Sequence, residues 1–200
     1  ERVQLIRNHG EVVVEGKGVE KINNIIGSNF RLGEIESAIG IEQLKKLEGY
    51  AKSREKMADR LSEGLSVLDG LKTPVVKDNC SHVYYIYPLV LDIDKLGLSK
   101  FKIADALHAE GVDIATGYQN IHLIPMYQNK IAYGSKGFPW TADFARKDIN
   151  YAKGICPVAE RLHDETYLGF GMCVYDLSED DIDLIIKSFH KVWNNLDQLK

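Results

Sequence analysis

Cysteine is scarce in this sequence, and its three residues, Cys80, Cys156 and Cys173, form no Cys-x-x-Cys pair. An odd, sparse set of thiols is typical of a reducing compartment, so we expect a cytoplasmic protein with reduced cysteines. The six histidines are dispersed as well, and no two have the spacing of a chelating pair. We therefore expect no metal site.

The sequence also lacks an excess of positive charge and a long apolar run. Its 200 residues carry a formal net charge of −4, which attracts neither nucleic acid nor an anionic membrane surface. The apolar runs are too short to cross a bilayer. We therefore expect neither nucleic acid nor a membrane as a partner. With 44% hydrophobic and 27% charged residues, the composition is typical of a soluble globular protein.

The first residues have the pattern of a helix that is already under way. Val3, Leu5 and Ile6 stand among polar residues, and Gly10 is a suitable stop. Because half a helix would be marginal alone, we expect the chain to begin inside a larger domain. A processed or trimmed terminus is the alternative. Residues 12–26 contain two glycines and indicate a loop or a short ribbon.

Helical patterns predominate in the next part of the chain. A helix is predicted from near Gly33 up to a bend at Gly49, and a second helical stretch is predicted to end at Gly70 and Pro74. The predicted buried faces are apolar and follow helical spacing: Ile35, Ala38, Ile39, Leu44 and Leu47 in the first stretch, and Met57, Leu61, Leu65 and Leu68 in the second.

The remaining residues alternate between strand and helix patterns. A strand over 81–93, a helix capped by Ser99 and a strand over 112–115 are predicted. Residues 117–140 show no period, and a loop of this length and aromatic content is usually functional. Further helices are predicted over 141–152, from Pro157, and after a capping box of Ser178 and Asp181, with a strand over 167–175. The fold class is α/β or α+β, with few strands per helix.

Several catalytic motifs can be set aside. The Ser-x-x-Lys pattern at 53–56 lies on the charged face of a predicted helix, and the glycine-rich stretch at 14–20 lacks the spacing of a phosphate-binding loop. Four residues remain: Asn29, Arg31, Tyr118 and His122. A loop before a helix can hold Asn and Arg donors near an anion, and His122 can shuttle protons or donate to a phosphate. Alternatively, Asn29 and Arg31 brace the helix, and His122 only packs in its loop.

Five stretches of the sequence resemble the DegT/DnrJ/EryC1/StrS family of sugar aminotransferases. The match is most specific for "RNHGE" at 7–11 and "GSNFRLGEIESAIGIEQLKKL" at 27–47, where the family motif is similar to G-Y-N-Y-R-M. The segments "SHVYYIYPLVL", "GYQNIHLIPMY" and "CPVAERLHDETYLGF" follow in the family's order. The resemblance covers essentially the whole chain.

This resemblance implies a pyridoxal-phosphate enzyme of the aspartate aminotransferase fold, usually a homodimer. Such enzymes move an amino group from an amino acid, commonly glutamate, to a nucleotide-linked keto-sugar. Asn29 would reach the partner subunit's cofactor phosphate, with Arg31 in the same motif, while Tyr118 and His122 would border the substrate site. Residues 1–48 would end the large domain and begin the connecting helix, 49–69 would continue that helix, and 70–200 would form a small α+β domain.

The resemblance has departures that affect the expected activity. The family's Schiff-base lysine lies upstream of the "RNHG" segment and is not in this chain, so we expect the chain alone to be inactive. Ser28 replaces the usual aromatic residue, and residues 120–125 only partly follow the P-L-H-x-Q-P pattern. Two alternatives stay open: a non-catalytic binding or assembly module derived from this fold, and a sugar dehydratase with His in place of the lysine.

Overall fold

The structure, a computed structural model, describes residues 2–7 and 27–200. The chain divides into two compact units, Glu1–Tyr50 and Ala51–Lys200. The predicted stop at Gly10 and the predicted loop or ribbon over 12–26 lie outside the described residues.

The first unit contains the predicted amino-terminal helix, α1, at Arg2–Arg7. The backbone N–H groups of Ser28 and Phe30 donate to the carbonyls of Ile6 and Arg7, at 2.9 and 3.0 Å. The segment that carries Asn29 is thereby fixed to the carboxyl end of α1, because those carbonyls have no partner inside a helix.

Helix α2 runs from Glu34 to Leu65 without interruption, so the predicted bend at Gly49 is wrong. A single glycine costs a helix only about 1 kcal/mol relative to alanine, which the hydrogen bonds on both sides outweigh. The predicted buried face before Tyr50 is also wrong in this chain, since its large apolar side chains are exposed: Ile35, Ile39, Leu44 and Leu47. No described residue packs them into a core.

The second unit is built on a four-stranded antiparallel sheet. Its strands are β1 at Leu71–Lys72, β2 at Tyr87–Leu91, β3 at Ile114–Ala115 and β4 at Tyr167–Phe170, in the order β1-β2-β4-β3. Alternate residues of β2 are buried, as expected for a sheet with one face on a core: Tyr87, Leu89 and Leu91.

α-Helices connect and follow these strands, and several of them contribute residues to the buried core. They are α3 at Ile93–Leu96, α4 at Lys100–Ala109, α5 at Pro125–Gln128, α6 at Pro157–Arg161 and α7 at Glu179–Trp193. Short 3₁₀ helices lie at Ile121–Leu123 and Leu196–Leu199, and a π-helix at Leu162–Thr166 continues α6. Met57, Leu61 and Leu65 of α2 join the buried cluster. None of the helices in the described residues is long and apolar enough to span a membrane.

Polar contacts fix α2 against α7 and against the sheet. The Arg60 guanidinium donates to both carboxylate oxygens of Asp183, at 2.7 and 2.8 Å. The hydroxyls of Ser62 and Tyr87 lie 2.7 Å apart, and the His190 ring lies 2.9 Å from the Gly64 carbonyl.

The helix starts predicted in the second unit from capping residues and from proline are confirmed. Ser99 caps α4, Pro157 opens α6, and Ser178 with Asp181 forms the capping box of α7. The predicted strand over 81–93 is shorter, because the chain turns at Tyr84, with φ 49°, before β2 begins. The predicted strands over 112–115 and 167–175 shorten to β3 and β4. The predicted helix over 141–152 is wrong, since those residues form turns and irregular chain.

Candidate functional site

Asn29 and Arg31 contact each other immediately before α2. The Arg31 side chain donates from Nε to Oδ1 of Asn29 at 3.0 Å, and its backbone N–H points to the same oxygen at 3.4 Å. Both residues are exposed. These contacts use the side-chain oxygen of Asn29 together with the Nε and the backbone N–H of Arg31. The carboxamide nitrogen of Asn29 and the two terminal guanidinium nitrogens of Arg31 are the donors that they leave for a ligand.

His122 occupies the short 3₁₀ turn inside the long loop of the second unit. Its Nε2 lies 2.8 Å from Oε1 of Glu160, and its side chain is only 9% exposed. The amide of Gln128 donates to the backbone carbonyl of His122 at 2.7 Å and to that of Tyr151 at the same distance. Both the ring and the main chain of His122 are therefore held in place.

Glu160 receives several further hydrogen bonds. The backbone N–H of Gly154 lies 2.8 Å from each of its oxygens, and that of Cys156 lies 3.2 Å from Oε1. Burial acts to raise the pKa of Glu160, but these N–H groups and His122 outweigh it, so the pKa lies below its usual value. Glu160 is therefore a buried carboxylate whose charge is stabilised by neighbouring donors.

Tyr118 lines a cleft of about 350 Å³ in the second unit. Its ring is largely exposed, at 62%. The cleft lies between the start of α4, the chain after β3 and the π-helix, and its lining is Lys100, Phe101, Thr116, Gly117, Tyr118, His163 and Asp164. This volume is at the lower end of the range of about 300–1,000 Å³ for small-molecule sites. His122 is not one of the lining residues.

Lys100 is a member of this cleft that the sequence did not single out. It is 1% exposed, and its ammonium donates to the backbone carbonyl of His163 in the π-helix. Burial lowers the pKa of Lys100, against the opposing effect of Asp164 and Glu165. A lysine in the first turn of a predicted helix normally faces solvent, so neither its position nor its neighbours in sequence distinguished it.

The structure brings together some of the predicted residues within each unit. Asn29 and Arg31 meet in the first unit. In the second unit, Tyr118 lines the cleft, and His122 contacts Glu160. Among the described residues, no group of three or more His, Cys, Asp or Glu side chains is arranged to hold a metal ion.

This arrangement of sheet, helices and loops defines a class of protein when it is compared with solved structures. The fold is that of the aminotransferases of the aspartate aminotransferase type. An aminotransferase from Psychrobacter cryohalolentis superposes with a TM-score of 0.69 at 20% identity, over 98% of this chain and 49% of that one. A DegT DnrJ EryC1 StrS aminotransferase from Brucella abortus superposes with a TM-score of 0.62 at 26% identity. The superposition covers 94% of this chain and 42% of that one.

The chain belongs to the DegT/DnrJ/EryC1/StrS aminotransferase family, whose model matches residues 1–167. Enzymes of this family depend on pyridoxal phosphate, as the resemblance in sequence implied. An uncharacterized protein from Methanocaldococcus jannaschii is 30% identical over 146 residues, which cover 70% of this chain and 38% of that protein. The UDP-4-amino-4,6-dideoxy-N-acetyl-beta-L-altrosamine transaminase of Helicobacter pylori is 33% identical over 131 residues. These residues cover 64% of this chain and 33% of that protein. The chain therefore spans about a third of the length of these two relatives, 38% and 33%.

Proposed function

We propose that this chain is part of a pyridoxal-phosphate enzyme that transfers an amino group from an amino acid, expected to be glutamate, to a nucleotide-linked keto-sugar. Membership of the family is the observation that carries the proposal. It is supported by the names of two relatives, the Helicobacter pylori transaminase and a GDP-perosamine synthase from Caulobacter vibrioides, 26% identical over 169 residues. The proposed location of the complete enzyme is the cytoplasm.

The donors of Asn29 and Arg31 fit a phosphate group. A guanidinium and a neutral carboxamide, both exposed and already oriented by their mutual hydrogen bond, form the kind of donor pair that binds phosphate oxygens. In the proposed enzyme, these two residues hold the cofactor phosphate of a neighbouring subunit. Pyridoxal phosphate, when bound, supplies the electron sink for amino transfer.

Tyr118 and His122 are proposed to face the substrates. The exposed Tyr118 ring, at the mouth of a cleft, offers an aromatic face and a hydroxyl to the nucleotide-sugar. His122 is held rigidly by Glu160 and Gln128, so its ring costs little entropy to position when a substrate binds.

The complete enzyme is proposed to be a homodimer. Asn29 and Arg31 need a cofactor from a neighbouring subunit in this account. The apolar side chains exposed along the first half of α2 support a further protein surface there, since a soluble chain seldom leaves such a stripe uncovered. The lysine that holds the cofactor is proposed to lie before Glu1, so the chain alone is expected to bind pyridoxal phosphate weakly and to transfer no amino group.

The experiment uses the protein encoded by the complete reading frame. Amino transfer from glutamate to keto-sugar nucleotides and the Kd of pyridoxal phosphate are measured for the wild type and for Arg31→Ala. We expect the variant to raise the Kd of pyridoxal phosphate about tenfold or more, because a charged hydrogen bond to phosphate is lost. Arg146→Ala is the matched control, since Arg146 is also exposed and bonded to a residue two positions away, Asp148.

The result separates the proposal from its alternatives. Equal cofactor affinity in the Arg31 and Arg146 variants would reject the phosphate role of Arg31. Loss of water from the sugar, with no amino transfer, would identify a dehydratase. A wild-type protein with neither activity and no cofactor affinity would identify a binding module.

A further inference from the structure

The contact between His122 and Glu160 determines which ring nitrogen of His122 carries a hydrogen. Glu160 is 6% exposed, and its oxygens accept from two backbone N–H groups as well as facing the imidazole. A carboxylate that is held by donors on several sides remains ionised and can only accept hydrogen bonds. The ring nitrogen that faces it, Nε2 of His122, must therefore carry a hydrogen.

The hydrogen on Nε2 determines what the opposite side of the ring can do. In a neutral imidazole with Nε2 protonated, Nδ1 is an acceptor and not a donor. None of the described residues donates to Nδ1 of His122 or accepts from it. In this neutral form, the ring nitrogen left for a ligand is one that receives a hydrogen bond.

We propose that Glu160 is a positioning residue for His122: it keeps His122 in the Nε2–H form, so that Nδ1 accepts a hydrogen bond from a hydroxyl or amino group of the substrate. A phosphate oxygen, which also only accepts, is disfavoured at Nδ1. This narrows the role of His122 from the phosphate donor or proton shuttle that the sequence allowed to an acceptor that selects hydroxyl-bearing or amino-bearing ligands.

Glu160 also connects two segments of the second unit that are distant in sequence. His122 lies in the loop over 117–140, while the N–H donors belong to Gly154 and Cys156, just before α6. One carboxylate therefore fixes the turn at 154–156 and aims the ring at the same time. A glutamine at position 160 keeps a single acceptor oxygen. Its NH₂ group would face the N–H of Gly154 in either orientation, because that N–H lies 2.8 Å from both carboxylate oxygens.

The first test is nuclear magnetic resonance of the ¹⁵N-labelled 200-residue chain at pH 8. The ring nitrogens of His122 are assigned by comparison with His122→Gln. We expect the chemical shifts of the Nε2–H form. A ring protonated on Nδ1, or on both nitrogens, would overturn the proposal, and this measurement needs no substituted Glu160.

The second test is Glu160→Gln, with Glu165→Gln as the matched control. Glu165 lies in the neighbouring π-helix, and its exposed carboxylate is 3.7 Å from Nε of Arg161. We expect only Glu160→Gln to mix the two ring forms of His122 and to speed amide exchange at Gly154 and Cys156 about tenfold or more. Unchanged ring signals and exchange rates in a folded Glu160→Gln chain would overturn the proposal. If this variant does not fold, the ring form of His122 in the wild-type chain tests the proposal by itself.

The inference rests on the proposed function only for the role of His122 as a substrate-binding residue. The ring form and the amide exchange are measured without substrate or cofactor. These two measurements can therefore contradict the inference even if the complete enzyme transfers amino groups. They can also support the inference if the enzyme does not.

Discussion

Lys100 and Glu160 are both charged, both buried, and both satisfied mainly by the backbone. The ammonium of Lys100 donates to the carbonyl of His163, and Glu160 accepts from the N–H groups of Gly154 and Cys156. A buried charge is costly unless it is hydrogen-bonded in this way. These two residues hold the chain on either side of α6, next to the residues proposed to face the substrate.

Gly117 permits the close approach of His163 to the chain that follows β3. A Cβ atom added at Gly117 would lie 2.9 Å from Nδ1 and 3.0 Å from Cε1 of His163. We expect Gly117→Ala to displace this ring and to lower the free energy of unfolding by about 1–3 kcal/mol, measured by urea denaturation. Gly49→Ala is the control, because nothing lies within 4 Å of its added Cβ. It is expected to stabilise α2 by up to about 1 kcal/mol. Equal stability of Gly117→Ala and the wild type would contradict this account.

The sequence predicted the neighbouring residues of the candidate site and did not predict the distant partner of His122. Asn29 and Arg31 are two positions apart, and both stood out as polar residues before a helix. Glu160 could not be found in this way, because its partner His122 is 38 positions away and its other partners are backbone groups. Contacts of this kind depend on how the sheet and the loops come together.

At the scale of elements, the capped starts of α4, α6 and α7 were predicted correctly because caps are local. The hydroxyl of Ser178 accepts from the N–H of Asp181 at 3.2 Å, and the Asp181 carboxylate accepts from the N–H of Ser178 at 2.9 Å. The predicted helix over 141–152 failed because loop contacts satisfy the same residues. The ammonium of Lys147, for example, donates to the carbonyls of Trp140 and Ala142.

The capping box of α7 gives a prediction at this scale. Ser178→Ala removes the acceptor for the N–H of Asp181, and we expect the free energy of unfolding to fall by about 1 kcal/mol. Ser53→Ala, on the exposed face of α2, is the control and should change it by less than about 0.5 kcal/mol. Thermal or urea unfolding measures both. A cost of Ser53→Ala as large as that of Ser178→Ala would show that the cap is not the cause.

At the scale of the whole molecule, acid should destabilise the chain. Hydrogen bonds from neighbouring side chains are the main cause that lowers the pKa of six carboxylates: Asp148, Asp164, Glu179, Asp181, Asp183 and Asp197. The unfolded chain binds protons to these groups at a higher pH than the folded chain does. Their contribution to stability is therefore fully present above their unfolded pKa values of about 4, and is lost as the pH falls through the lower folded values.

Urea denaturation at pH 7, 5.5 and 3 measures this effect. We expect these carboxylates to cause little change between pH 7 and 5.5 and a clear loss of stability at pH 3. Addition of salt should reduce the loss, because salt screens these ion pairs, which are exposed or half-buried. Equal stability at pH 5.5 and pH 3 would contradict the lowered pKa values.

The connecting helix and a small α+β domain were implied by the resemblance, and the family model that matches residues 1–167 places the chain in that family. The exposure of the first half of α2 was not expected, since a helical stripe in a sequence does not tell what will cover it. The division into 1–48, 49–69 and 70–200 stays a prediction.

The central proposal is that this chain is part of a pyridoxal-phosphate aminotransferase whose cofactor-holding lysine lies before Glu1. The most direct measurement is borohydride reduction of the protein from the complete reading frame, loaded with pyridoxal phosphate, followed by mass spectrometry of its peptides. We expect the reduced cofactor on one lysine upstream of Glu1. Specific labelling of a single lysine within these 200 residues, or no labelling at all, would contradict the account.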